Sequence, residues 1–177
     1  MNKHRGFTIL ELMIIVAITG VLLTVGIPSF TNMMSNNRLT SQLNLFTSSL
    51  SLARSEAAKR NQTVVICPST NGTSCDVSQE FTVGWITFID RTPTIPPVVV
   101  PGGGDPCAEG SVNDCIINYV QGLDGPDLTL KTNVANNVVI YTGLGASNGV
   151  ASFIICDDDD AARAKAVVIS TTGRPSI

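Results

Sequence analysis

The sequence predicts an α+β protein in which a long N-terminal helix packs on an antiparallel β-sheet head. Two observations point there. From Phe7 to Asn61 the chain carries helical patterning, first apolar on all sides and then striped. From Thr63 onward it carries short β-branched runs between Gly, Asn, Pro and Asp clusters, and a long helix followed by strands alone is the α+β arrangement. A length of 177 residues suits one head with a real core plus an anchor, and is short for two domains.

Met1–Gly6 is short and basic, and Phe7–Pro28 follows with Glu11 as its only charge. At ~1.5 Å per residue that run is about 33 Å long, enough to cross a bilayer core. Lys3 and Arg5 place the start of the chain in the cytoplasm and whatever follows the run in the periplasm. An ordinary secretory signal has a shorter apolar region ending at a small-x-small site, and neither feature is present. Residues 7–30 are therefore read as a transmembrane helix. A carboxylate within such a helix costs ~2.5–3.5 kcal/mol on insertion scales, which makes Glu11 a functional candidate; the plainer alternative is a side chain that snorkels or sits protonated. Pro28 removes one backbone hydrogen bond and, with Gly20 and Gly26 nearby, predicts a kink.

Residues 31–61 read as the amphipathic continuation. Leu39, Leu43, Phe46, Leu50, Ala53 and Ala57 recur at steps of four and three, which places them on one face for packing against the head. Arg54, Glu56, Lys59 and Arg60 precede Asn61, a plausible helix terminator. Residues 62–177 form the head, with strands expected at 63–67, 85–89, 115–119, 138–141, 153–156 and 166–169. Between the second and third, Pro96-Pro97 and Gly102-Gly103-Gly104 cannot continue a regular element, so about 92–115 reads as a Pro/Gly-rich, cysteine-bearing surface insertion.

Five cysteines sit at 67, 75, 107, 115 and 156. Cys67 to Cys75 and Cys107 to Cys115 share one interval, which suits two small disulfide loops in an exported head and leaves Cys156 over. A Cys67 to Cys156 bridge between neighbouring strands is the rival pairing. No C-x-x-C is present and the lone histidine is His4, so a structural metal site is disfavoured.

The segment Lys3-His4-Arg5-Gly6-Phe7-Thr8-Ile9-Leu10-Glu11-Leu12 resembles the prepilin peptidase site of type IV pilins and type II secretion pseudopilins: a basic leader, a glycine, a phenylalanine and a lone glutamate fall in register. The resemblance implies a leader at 1–6, cleavage between Gly6 and Phe7, N-methylation of Phe7, and a Glu11 carboxylate that meets the N-terminal amine of a neighbouring subunit during assembly. Loss of Lys3 and Arg5 would leave 9 basic against 14 acidic side chains, a formal charge of -5 in place of -3. Further on, Leu52-Ala53-Arg54-Ser55-Glu56-Ala57, Val65-Ile66-Cys67-Pro68, Gly84-Trp85-Ile86-Thr87-Phe88-Ile89-Asp90, Phe153-Ile154-Ile155-Cys156 and Ser170-Thr171-Thr172-Gly173-Arg174 look like the FimT/GspH group of minor pilins and minor pseudopilins. That likeness implies a non-enzymatic subunit with no cofactor. It would sit in the bacterial inner membrane with a periplasmic head and enter a pilus or pseudopilus. Its partners would be other pilin or pseudopilin subunits, prepilin peptidase, the inner-membrane assembly platform and the membrane itself. Residues 92–114 depart from the group's usual short connection.

Three other chemistries are suggested and each weakens on inspection. Gly145-Ala146-Ser147-Asn148-Gly149 fits the G-x-S-x-G nucleophile elbow, yet a glycine-asparagine turn into a strand replaces the strand-to-helix turn, and no histidine base would remain after cleavage. Asp157–Asp160 gathers four carboxylates without the spacing or central glycine of an EF-hand calcium loop. Some relatives in the group bind DNA through a C-terminal Gly-Arg-x-Arg segment, whereas Gly173-Arg174-Pro175-Ser176 keeps one arginine. Arg163, Lys165 and Arg174 would then have to form a small basic edge beside an acidic turn, on a chain of negative net charge.

Overall fold

The computed structural model describes residues 7–92, 97, 99, 107, 111–125, 127–157 and 164–177, apart from the side chains of residues 25–29 and 32. The chain divides into two compact units, Met1–Arg38 and Leu39–Ile177. One helix, α1 (Ile9–Arg60), contributes to both.

In the first unit α1 exposes large apolar side chains on every side, among them Leu10, Met13, Val16, Val21 and Phe30. A helix apolar all round is stable only where something other than water surrounds it. Among the described residues, however, no helix is long and apolar enough to cross a membrane. The transmembrane helix expected over 7–30 includes residues 25–29, whose side chains lie outside the described residues. α1 is helical on both sides of Pro28.

The second unit begins where the apolar stripe begins. Leu39, Leu43, Phe46, Leu50, Ala53 and Ala57 are all buried, as the four-three spacing requires. The helix stops at Arg60 because Asn61 takes a left-handed conformation with φ of 52°, which lets the Gln62 amide donate to the Ala57 carbonyl at 3.2 Å. That is the long bond of a Schellman cap, and asparagine is among the few side chains that tolerate this backbone.

Eight strands follow: β1 (Thr63–Pro68), β2 (Gly84–Asp90), β3 (Cys115–Gln121), β4 (Leu128–Thr132), β5 (Val139–Tyr141), β6 (Ala151–Asp157), β7 (Lys165–Ile169) and β8 (Pro175–Ser176). They form two antiparallel four-stranded sheets, ordered β3-β2-β1-β5 and β4-β6-β7-β8. Alternation along each strand decides what each face meets. Val64 and Ile66 of β1 join Trp85 and Ile89 of β2 in the core that holds the α1 stripe, while Val65, Cys67, Ile86 and Phe88 form a second cluster on the opposite face with Val99 and Val138. The first sheet is thus buried on both sides. In the second sheet Leu128, Leu130, Phe153, Ile155, Val167 and Ile169 complete the main core, and Ile154 and Val168 face solvent. Phe46 sits at the junction, with ring centroids 5.2 Å from Phe81, 5.1 Å from Trp85 and 4.7 Å from Phe153.

Candidate functional site

The N-terminal signature can be followed from Phe7 onward, Gly6 lying outside the described residues. Thr8 caps α1: its Oγ1 accepts the Glu11 amide at 3.2 Å and its carbonyl accepts the Leu12 amide at 3.1 Å. Thr8-Ile9-Leu10-Glu11 has the Ser/Thr-x-x-Glu form of a capping box, a signal the sequence reading passed over, although only the threonine half of the exchange is made. Glu11 therefore occupies the first turn of the helix, where the positive end of the helix dipole favours a carboxylate, and its side chain is exposed.

The cysteines pair as their spacing suggests. Cys67 bridges Cys75 with a Cα separation of 5.6 Å, Cys107 bridges Cys115 at 4.8 Å, and Cys156 is a buried free thiol. The rival Cys67–Cys156 bridge is corrected by topology, since β1 and β6 belong to different sheets. The first loop is ordered by Asn71, whose Oδ1 accepts the amides of Thr73 and Ser74, and Gly72 (φ of 72°) lies against the Tyr119 ring. The second closes the root of the insertion. There the Arg91 amide donates to Asp114 Oδ1 at 2.8 Å, Arg91 Nη1 to the Asn113 carbonyl at 2.7 Å, and the Thr92 amide to Asp90 Oδ1 at 3.1 Å. Asp90 and Asp114 are both buried. Burial first, and the Asp114 charge second, push the Asp90 carboxyl above the usual carboxylate range, while its bond from the Thr92 amide pulls the other way.

Of the three residues of the expected basic edge, Lys165 and Arg174 lie at opposite ends of one strand. Arg163 lies outside the described residues, as do Asp158–Asp160 of the acidic turn. Lys165 opens β7 opposite Ile155 and donates to Thr40 Oγ1 on α1, whereas Arg174 sits just before β8, whose Pro175 pairs with Ile169 at the other end of β7. At ~3.3 Å per residue the two ends of β7 are roughly 13 Å apart. Among the described residues no group of three or more His, Cys, Asp or Glu could hold a metal.

Ser147 is likewise in structural use. It forms a bridge with Tyr141, and its Oγ lies 2.6 Å from the Gly149 carbonyl and 2.9 Å from the Ser170 carbonyl. The hydroxyl ties the 143–150 loop to the end of β7. No strand-to-helix elbow presents it.

Arg174 instead faces α1. With Arg54, Ser51, Ser55 and Leu144 it lines a cleft of about 460 Å³, and Arg54 Nε donates to the Gly145 carbonyl at 3.1 Å. Gly173 (φ of 78°) lets the 170–174 turn approach so closely that any Cβ there would collide with Gly145 O. Sequence reasoning had no means of finding this pairing, because its two arginines are contributed by a helix and a chain-end turn far apart in sequence.

Comparisons with known proteins agree with this architecture. The prokaryotic N-terminal methylation motif matches residues 1–27. A prepilin peptidase-dependent protein D of Escherichia coli (strain K12) is 41% identical over 46 residues, 26% of this chain and 32% of the relative; the chain thus matches about a third of that relative's length. In fold, the chain resembles the type IV minor pilin FimU of Pseudomonas aeruginosa in two crystal forms. One gives a TM-score of 0.57 at 19% identity, covering 82% of this chain and 91% of that one; the other gives 0.53 at 19%, covering 78% and 90%. The type II transport protein GspH family pattern runs from residue 42 to residue 173, from the buried stripe of α1 through both sheets to the Gly173 turn, and on that span the chain belongs to the GspH family.

Proposed function

We propose that the chain is a minor subunit of a type IV pilus or a type II secretion pseudopilus, cleaved by prepilin peptidase between Gly6 and Phe7, methylated at Phe7, and assembled through α1 to prime or cap the filament. The carrying observation is the change in α1 itself: apolar and exposed on every side up to Met34, then striped and buried from Leu39. The described apolar side chains of the first half are exposed, so a bilayer before assembly and the helices of neighbouring subunits afterwards are its natural surroundings. The second half is committed to the head. Inner-membrane anchoring with a periplasmic head is the matching location, and the two disulfides suit that oxidising compartment. An inner-membrane assembly platform would be the remaining partner.

Glu11 supplies the test. In this reading its carboxylate, in the first turn of α1, meets the N-terminal amine of an adjacent subunit, a pairing that offsets the cost of an intramembrane charge only on assembly. Glu11→Ala is expected to be cleaved and methylated as in the parent, by mass spectrometry of the membrane fraction, yet to be missing from sheared filaments. Parental amounts in the filaments would reject the assembly role. Surface pili counted on an in-frame deletion strain and its complemented derivative separate the two systems: loss and recovery assign the pilus, and an unchanged count with altered secreted proteins assigns the pseudopilus.

A further inference from the structure

The cleft between the last turns of α1 and the two loops that reach it is not used by the anchor or by the core. Its charge is unbalanced. Arg54 spends one donor on Gly145 O and Arg174 is exposed, while among the described residues no acidic side chain lines the space. Glu56, the acid nearest in sequence to Arg54, is committed to Arg60 at 2.6 Å and to Lys59 at 3.8 Å. Behind Arg54, Tyr141 is wholly buried with no hydrogen-bond partner for its hydroxyl. Burial holds that phenol neutral, against the opposing pull of Arg54, so it does not offset the guanidinium. Beside the arginines Leu144 is 89% exposed, an apolar side chain standing at the mouth of a cationic cleft.

We propose that this cleft docks an acidic segment of another protein, its carboxylates taken by Arg54 and Arg174 and an adjoining aliphatic side chain laid on Leu144. Two planar guanidinium forks suit paired carboxylates; the Ser51 and Ser55 hydroxyls on the helix wall donate back to the Thr47 and Leu52 carbonyls, which leaves the arginines as the donors of the cleft. Nucleic acid fits less well. Among the described residues the lining has no aromatic ring for base stacking and two cations, on a chain whose formal charge is -3. The assignment stands independently of filament membership, since every residue it uses belongs to the Leu39–Ile177 unit.

The test is fluorescence anisotropy on the full-length chain in detergent micelles, with a labelled hexapeptide of alternating Glu and Leu as probe and its Gln counterpart as control. Saturable binding of the Glu peptide is expected, weakened about tenfold in Arg174→Ala and only partly restored in Arg174→Lys, with Leu144→Ser also weaker. Arg174 and Leu144 are exposed, so these variants should keep the fold, and circular dichroism checks that. Four results overturn the assignment. They are no saturable binding, equal binding of the Gln peptide, equal binding by Arg174→Ala, and tighter binding of a DNA duplex than of the Glu peptide. Self-association lost in Arg174→Ala without peptide binding would replace the acidic partner by a second copy of this chain.

Discussion

Phe46 is the residue on which the helix-to-head packing turns, and truncating it to alanine gives a prediction that can be sized. Its ring is fully buried, and its three aromatic neighbours come from the 81–83 turn, from β2 in one sheet and from β6 in the other. Buried Phe→Ala changes cost about 3–5 kcal/mol once transfer and cavity terms are both counted. The upper half of that range is expected here, because rings held edge-on by both sheets and by α1 cannot all move inward. Alanine returns roughly 0.5 kcal/mol of helix propensity, too little to change the outcome. Against a whole-domain stability of about 5–15 kcal/mol the loss is severe, and for a unit of this size it lowers the melting temperature by roughly 10–20 °C. The assay is urea unfolding of the full-length protein in detergent, followed at Trp85, the sole tryptophan, and read from the midpoint because the mutation also alters the tryptophan's surroundings. Leu45→Ala is the control: it lies on the same helix but is 40% exposed, and should cost about 1 kcal/mol or less. If Phe46→Ala lost no more than Leu45→Ala, the three-way packing would not be what holds α1 to the head.

Two further outcomes follow from the disulfides and the buried acids. Each bridge spans a sequence separation of 8, for which the chain-entropy relation gives about 2.5 kcal/mol, so Cys75→Ser should lower the urea midpoint by that measure. A loss below ~1 kcal/mol would mean that the loop around Asn71 is ordered without its bridge. Asp90 sets a pH dependence of definite sign. Its folded-state carboxyl is raised, so the folded protein binds the proton more tightly than the unfolded chain. This contribution to stability therefore appears as pH falls through the folded value, is complete below the unfolded value, and is lost as pH rises. Asp90→Asn should thus gain on the parent at neutral pH and forfeit that advantage in mild acid; parallel stability profiles would refute the shift.

What could be read in advance divides by the range of the interaction involved. The α1 stripe is written in four-three spacing over six residues, and every one of them is buried, because helical periodicity is a local property. Asn61 as terminator and the two equal cysteine loops are local in the same way, and both appear in the structure. Six strands were visible as β-branched runs. β4 (Leu128–Thr132) was missed because Leu-Thr-Leu-Lys-Thr has only two apolar residues, and β8 because a two-residue strand beginning with proline carries no pattern. Which strands fall in which of the two sheets could not be read. It depends on β1 choosing β5, some seventy residues distant, as its second neighbour, so that β6 and β7 are left to pair with β4 and β8. The same limit explains the basic residues. Sequence proximity grouped Lys165 with Arg174, but the β7–β8 hairpin sends them to opposite ends and turns Arg174 toward Arg54. Charge that looked like a weak edge in the linear chain becomes, after folding, a pair of guanidinium groups in one cleft. The surface most open to chemical test is therefore one that only the pairing of distant strands creates.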